Sequence, residues 1–415
     1  MAENILYRHI KSVLRELIQH MEIPLILTIS LLTGRILGLF LTPFFRSQFF
    51  FLFPTHHIGG AEKVHIKIVH CLRKCNPVVF FTNRSRNPAL KKEFMQNART
   101  LDFGHFNYFD NLVYVDFWIG VLCTIINNNK TCVVFGCNNV LFYRLIPHLK
   151  PQICCIDLLH AFGGGIEDVS LLYVNRLNKR VVINKRTVND LRDQYQLNNI
   201  AEKMNERIFL IENCVRIPEG ARRDNDESIL RVLYVGRGSE EKRVHLIGKI
   251  SHRCYLSNLP VEFILVGDVK DSVDEQHRKY CNFLGEVENE EQISEIYSNS
   301  DILLLVSSRE GFPLVIMEAM AHGIVTISTN VGGISEHICN GHNGFLIKNE
   351  SEALIIKNVF EVLSKLASNK PLMDNISHEA YEYAKTNFNC KRFCSEYKNL
   401  VWGDNYFNFE NGLKK

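Results

Sequence analysis

Two carboxylates and two cations define the chemistry open to this sequence. The segment Ser308-Arg-Glu310-Gly-Phe-Pro-Leu-Val-Ile-Met-Glu318-Ala-Met-Ala-His-Gly323 follows the apolar run Ile302 to Val306. Pro313 stands where a first helical turn tolerates proline, and Gly323 stands where a helix would stop. The local order is therefore strand, loop, helix, with Glu310 in the loop and Glu318 about five residues into the helix. The free N–H groups and positive dipole end of such a helix favour an anion, for which a phosphate is a fitting partner. The two carboxylates can then reach different hydroxyls of one extended ligand. A second segment, Tyr234-Val-Gly236-Arg237-Gly-Ser-Glu-Glu-Lys242-Arg243, ends a strand in Gly and Arg and places Lys242 at the head of a helix. Two cations so placed can meet a diphosphate.

Three glycine-rich stretches accompany these groups. In Phe53-Pro-Thr-His56-His57-Ile58-Gly59-Gly60-Ala61-Glu62, the Gly59–Gly60 pair lets main-chain amides approach a ligand where a helix opens. His56 and His57 have no third ligand at a plausible spacing, so no metal is expected there. His160 follows the apolar run Ile153 to Leu159 and precedes Gly163-Gly164-Gly165. From that place it can donate a hydrogen bond to a sugar hydroxyl or to a reacting centre, with a structural role as the equal alternative. In Val331-Gly332-Gly333-Ile-Ser-Glu336, the glycines permit close backbone approach, and Asn343–Gly344 supplies a turn before a strand. The basic cluster Arg84, Arg86, Lys91 and Lys92 reads first as a solvated surface, with contact to acidic lipid headgroups or a phosphorylated acceptor as the alternative.

The elements that must position these groups alternate as βα units, the mark of a parallel α/β sheet. Candidate strands are 49–54, 78–82, 112–115, 131–136, 153–158, 180–184 and 207–211, then Arg231 to Val235, Glu262 to Val266, Phe283 to Val287, Ile302 to Val306, Val325 to Ser328 and Phe345 to Ile347. The charged stretch Pro218 to Ser228 interrupts them and reads as a linker. Helical stretches over 351–367, 371–386 and 389–402 close the chain. The expected domains are thus 1–47, an N-terminal extension; 48–217, a Rossmann-like acceptor domain; 218–228, the linker; 229–388, a Rossmann-like donor domain; and 389–415, a C-terminal helix and tail packing back on the first domain.

The motif segments resemble glycosyltransferase family 4, the group 1 enzymes: the Glu-x7-Glu element with Gly-Phe-Pro after Glu310 and Ala-Met-Ala-x-Gly after Glu318, the Arg237–Lys242 segment, and Gly-Gly-x-x-Glu at Gly332–Glu336. The likeness is strong from about Arg231 to Ile347, weaker from Phe49 to Asn213, and absent before that. It implies the GT-B fold, two Rossmann-like domains facing each other across a cleft, and transfer of a hexose-type sugar from a nucleoside-diphosphate donor with retention of configuration and no obligatory metal. It assigns catalysis to His160, Glu310, Arg237 and Lys242. Donor contacts fall to Gly59, Gly60, Gly236, Arg237, Lys242, Gly285, Val287, Glu310, Gly311, Phe312, Pro313, Leu314 and Glu318. Gly285 and Val287 would meet the base through their backbone, which leaves UDP- and GDP-sugars equally open. Where the family usually has Gly after the Lys, this chain has Arg243, a third cation that leaves open which one touches the diphosphate. A sugar-nucleotide epimerase of the same fold and a non-catalytic scaffold of a glycan assembly complex are the alternatives.

Composition sets the remaining limits. With 415 residues, 46% hydrophobic and 22% charged, the chain can bury large cores and is no disordered polymer. A formal charge of +3 excludes a general nucleic-acid binder, so an anion site must be local. Thirteen cysteines without a C-x-x-C pair argue against a disulfide framework and for a reducing compartment. Residues 23–53 are apolar and carry only Arg35 and Arg46 as charges. Before them, Ile5, Leu6, Ile10, Val13, Leu14, Leu17 and Ile18 recur at helical spacing among Arg8, Lys11 and Arg15, as in a basic helix lying on an anionic bilayer. Interfacial attachment ranks ahead of a spanning helix, which would bury Arg35, while packing of both segments on the body competes with either. The expected location is the cytoplasm, at the inner face of the cytoplasmic membrane, with a glycan or lipid-linked acceptor.

Overall fold

The computed structural model describes residues 25–104, 111–129, 132–218 and 229–403. The linker at 219–228, the amphipathic stretch before residue 25 and the tail after residue 403 lie outside the described residues. The first sheet has strands β1 (Phe49–Phe53), β2 (Val78–Phe81), β3 (Arg99–Asp102), β4 (Val133–Cys137), β5 (Cys154–Leu159), β6 (Lys179–Val182) and β7 (Ile208–Leu210), in the order β3-β2-β1-β4-β5-β6-β7. The second has β8 (Leu230–Val235), β9 (Val261–Val266), β10 (Asn282–Gly285), β11 (Ile302–Leu305), β12 (Val325–Thr329) and β13 (Phe345–Ile347), in the order β10-β9-β8-β11-β12-β13. β1 pairs in parallel with β2 and β4, and β8 pairs in parallel with β9 and β11. β1 reads Phe-Phe-Phe-Leu-Phe and is buried at every position, because a central parallel strand has both faces covered.

The helices are α1 (Leu25–Phe45), α2 (Gly60–Cys71), α3 (Lys91–Asn97), α4 (Leu112–Asn127), α5 (Val140–Leu145), α6 (Ile166–Leu171) and α7 (Lys185–Leu197). After β8 come α8 (Val244–Leu256), α9 (Glu275–Arg278), α10 (Glu290–Ser298), α11 (Leu314–Ala321), α12 (Glu352–Ala367), α13 (Lys370–Asn387) and α14 (Cys390–Trp402). The last turn of α1, Thr42–Phe45, tightens to a 3-10 helix with Pro43 in its first positions.

In each sheet the strand order reverses beside the first strand of its half, between β1 and β4 and between β8 and β11. Loops leaving the carboxyl ends of strands at such a reversal diverge to opposite faces and leave a crevice for ligands. The loops placed there are the one before Gly60 and the two that hold Gly236 to Lys242 and Ser307 to Pro313.

Two expectations are corrected. Residues 112–115 are not a strand but the first turn of α4, whose N-cap Asn111 accepts from the Val113 amide. The run Leu-Val-Tyr-Val reads as a buried strand until a cap and sixteen helical residues are seen to continue it. The strand in that place is β3, Arg-Thr-Leu-Asp, a polar edge strand with no apolar run to announce it. The second correction concerns the cysteines: Cys71 pairs with Cys394 and Cys214 with Cys390, at Cα–Cα separations of 5.2 and 5.0 Å. Partners 323 and 176 residues apart leave no local spacing to read. The other nine cysteines are in no disulfide.

The chain divides into two compact units, one from residues 1–57, 72–158 and 168–180 and the other from 58–71, 159–167 and 181–415. In the first, α1 and α4 run side by side through small residues: a Cβ on Gly34 would lie 2.0 Å from the Phe117 carbonyl oxygen, and one on Gly120 would lie 2.2 Å from that of Leu31. The second unit holds the β8–β13 sheet, α2, both disulfides and every residue of the candidate site. There α14 is joined to α2 by Cys71–Cys394.

Candidate active site

Glu310 is built from the end of β11. Ser307 turns out of the strand and donates its hydroxyl to Glu310 Oε1 at 2.7 Å. Lys242, on the short turn Glu240–Lys242 after β8, reaches the same oxygen at 2.5 Å. Both side chains are largely enclosed, at 19% and 8% exposure, so the pair interacts through little water. Arg243 has a different task from the one its charge suggests. Its backbone is left-handed, φ 49°, and its guanidinium donates to the carbonyls of Val306 and Ser307 and to Asn349 Oδ1. It braces the strand end, which leaves Arg237, exposed, and Lys242 as the cations of the turn. Close backbone packing holds that turn, since a Cβ on Gly267, φ 122°, would lie 1.9 Å from the Gly236 carbonyl oxygen.

Glu318 sits on α11, whose N-cap is Pro313 and whose C-terminal end is followed by Gly323 at φ 65°. Tyr297 donates its hydroxyl to Glu318 Oε2 at 2.9 Å, and Lys63 Nζ lies 3.4 Å from Oε1. Burial and the adjacent carboxylate push the Tyr297 hydroxyl well above its ordinary pKa, so it stays a donor. Each carboxylate of the pair therefore holds a lysine from another element, Lys242 at Glu310 and Lys63 at Glu318.

His160 follows β5, and its main chain touches the loop between β11 and α11: a Cβ on Gly311 would lie 1.8 Å from the His160 carbonyl oxygen. Its Nε2 lies 3.1 Å from Nε2 of His65, a fully buried residue of α2. Two imidazole nitrogens at that distance share one proton, so one ring donates and the other accepts. Burial holds His160 down to about 4, and burial with His160 beside it holds His65 well below the ordinary value. Both rings are neutral at neutral pH. The glycine run is ordered by Glu167, whose Oε1 accepts from the amides of Gly163 and Gly165 at 2.8 and 3.0 Å.

The Gly-Gly-x-x-Glu segment is the support of this loop. Gly333 N donates to Gly311 O at 2.7 Å, and Gly332, φ 58°, lies where a Cβ would be 2.0 Å from the Glu310 carbonyl oxygen. Glu336 caps α7, accepting from the amides of Lys185 and Arg186 at 2.7 Å each. Phe312 stacks on His337 with ring centroids 4.1 Å apart, and His337 Nδ1 lies 3.1 Å from the Tyr383 hydroxyl. Gly59 lies under Glu62, whose Oε2 would be 2.2 Å from a Cβ there, whereas a Cβ on Gly60 would meet nothing within 4 Å. Gly285 has φ 70° at the end of β10. Val287 lines a groove of about 670 Å³ together with Arg231, Leu284 and Ile296; Arg231 stands near the start of β8, at the opposite end of that strand from Arg237. Lys63, His65, Tyr297 and His337 carry no motif signal, and only Lys63, three residues after Gly60, could have been found by its place in the first turn of α2.

Residues 220–383 match the family model of glycosyl transferases group 1. Among curated relatives, the N-acetyl-alpha-D-glucosaminyl L-malate synthase of Bacillus anthracis is 26% identical over 206 residues, 48% of this chain and 51% of its own. The O-antigen biosynthesis glycosyltransferase WbnH of Escherichia coli is 25% identical over 287 residues, 67% of this chain and 78% of its own. The chain spans about half the length of the first curated relatives it matches, 51% and 44%. Among solved structures, Anabaena Alr3699/HepE in complex with UDP and glucose superposes with a TM-score of 0.68 at 17% identity, covering 86% of this chain and 99% of that one. TarM gives a TM-score of 0.68 at 13% identity over the same shares. The fold is GT-B: two parallel Rossmann-like sheets with an added N-terminal helix.

Proposed function

We propose that this protein is a retaining glycosyltransferase of family 4 that moves a hexose-type sugar from a UDP- or GDP-sugar to a glycan or lipid-linked acceptor in the synthesis of a cell-surface polysaccharide. The observation that carries the reading is the seating of Lys242 on Glu310 beside the start of α11, with Glu318 held by Tyr297 on the same helix. The family match over residues 220–383 and the UDP-bound structural neighbours support it.

In this reaction a nucleoside diphosphate leaves, so the barrier falls when positive groups meet charge developing on the phosphate oxygen. Arg237, Lys242 and the N-terminus of α11 supply that charge. Lys242 exchanges part of its hold on Glu310 for the diphosphate, which frees the carboxylate to accept from sugar hydroxyls. Glu318 accepts from the ribose hydroxyls and Tyr297 orients it. His160, a neutral ring, hydrogen-bonds the sugar near the reacting carbon, and the acceptor attacks on the face the diphosphate leaves. No metal enters the scheme. Residues 48–217 would take the acceptor, 229–388 the donor, and 218–228 the hinge, on a protein held at the inner face of the cytoplasmic membrane through residues 1–47.

The test is a screen of sugar nucleotides for nucleotide release and labelled product, followed by Arg237→Ala and Lys242→Ala. Each substitution is expected to lower turnover about 100-fold or more. Near-normal rates in both would remove the diphosphate clamp, and labelled donor recovered as its epimer without transfer would replace the reading with an epimerase.

A further inference from the structure

By length and composition α1 is apolar enough to cross a bilayer, yet only 17% of its most apolar stretch is buried. Its inner edge is Ser30, Gly34 and Gly38, which are buried on α4: the Ser30 hydroxyl donates to the Val113 carbonyl, and a Cβ on Gly38 would lie 2.7 Å from the Val121 carbonyl oxygen. These contacts run in step, 30 with 113, 34 with 117 and 38 with 121, so the two helices lie parallel and nearly backbone to backbone. The opposite edge carries Ile29, Leu32, Ile36, Phe40 and Phe44, exposed by 52, 50, 58, 71 and 69%. Leu112 and Val113 of α4, both exposed, extend this apolar face at the Ser30 end. Scattered surface hydrophobes need no explanation, but a continuous ridge of this length does.

The charges beside the ridge choose its occupant. From residue 25 to residue 53 the sequence has no acidic side chain and two arginines. At the Phe44 end, Arg46, Arg73, Lys74 and Arg99 are all exposed. Arg99 is fixed there, donating to the carbonyls of Phe44 and Arg46, and Ser47 Oγ donates to Asn76 O, which brings the Arg73–Lys74 turn alongside. Apolar side chains rimmed by cations match the acyl layer and the phosphates of an anionic bilayer. A second copy of the same face would gather the four cations of each copy, eight like charges, in one two-fold interface. A spanning helix would have to leave α4, whose Val115, Ile119, Leu122 and Ile126 are buried in the first unit, and would carry Arg35 into hydrocarbon.

We infer that α1 is an in-plane membrane anchor: its Ile29–Phe44 edge enters the acyl layer of an anionic bilayer, and Arg46, Arg73, Lys74 and Arg99 seat on headgroup phosphates. This assigns the membrane contact of the proposed function to one face, and it stands whatever sugar is moved. The test is flotation of the full chain with vesicles of phosphatidylcholine, with and without phosphatidylglycerol. Binding is expected to be about ten-fold stronger with the anionic lipid and to be released by salt. Combined Ile29→Ser, Leu32→Ser, Ile36→Ser and Phe40→Ser, all on exposed positions, should abolish it with circular dichroism unchanged. Arg46→Glu with Lys74→Glu should lose only the preference for anionic lipid. The inference is overturned if the four-serine variant floats as the parent does, if the parent ignores vesicles and sediments as a dimer that the variant dissociates, or if cell membranes keep the protein through alkaline carbonate as a spanning segment. Nucleotide release in free solution, measured on the same samples, reports the donor reading separately.

Discussion

Lys242 and Glu310 form an enclosed, hydrogen-bonded ion pair, so removal of either partner leaves a desolvated charge as well as an empty contact. Tyr297 is a milder lever, because it touches Glu318 alone among the two carboxylates. Tyr297→Phe removes one hydrogen bond to a charged group and is expected to raise the donor KM about ten-fold with kcat little changed, as steady-state kinetics would show. His65 and His160 give a pH prediction. Their folded-state pKa values lie below the unfolded value of about 6.5, one of them at about 4, so the unfolded chain binds protons first as the pH falls. Their contribution to stability is complete above about pH 6.5 and is lost on acidification toward pH 4, by roughly 1.4 kcal/mol per pH unit for each proton taken up. Urea midpoints between pH 7.5 and 5 should decline, and His65→Leu with His160→Leu should flatten the slope.

At the scale of elements, the loop between β11 and α11 is positioned by its neighbours more than by its own sequence. Its carbonyls rest on Gly332 and Gly333, its Phe312 rests on His337, and its Gly311 rests on the main chain at His160. Gly332→Ala places a methyl 2.0 Å from a carbonyl oxygen at a φ of 58°, so the loop must move. The expected result is a destabilisation of about 1–3 kcal/mol and a weaker donor affinity, read by thermal unfolding and calorimetry with UDP and GDP. Gly60→Ala, where a Cβ has room, is the control and should fold normally.

At the scale of the molecule, two cross-links tie α14 to segments far back in the chain. They close loops of 323 and 176 residues, so each removes much of the freedom of the unfolded state. Thiol titration of the denatured, unreduced protein should find nine groups rather than thirteen. Replacing Cys71 and Cys214 by serine together should lower stability by about 4 kcal/mol or more. Thirteen thiols in the protein as isolated would overturn the pairing and restore the reducing environment that the cysteine pattern suggests.

The sequence by itself determined the α/β class and the positions of most strands, and singled out Glu310, Glu318, Arg237 and Lys242 as candidates, because continuous apolar runs and short loop motifs are local and need no partner to be read. Tertiary structure alone decided that Arg243 is a brace, that Lys63, His65, Tyr297 and His337 stand behind the motif residues, and that residues 112–115 are helix. It also decided the cysteine partners and which edge of α1 is left bare. Except for the helix at 112–115, which its neighbouring cap Asn111 and the following turns decide, these depend on what packs against a residue from tens to hundreds of positions away. A side chain's charge or polarity says what it can bond, but only the folded backbone says what stands within reach of it.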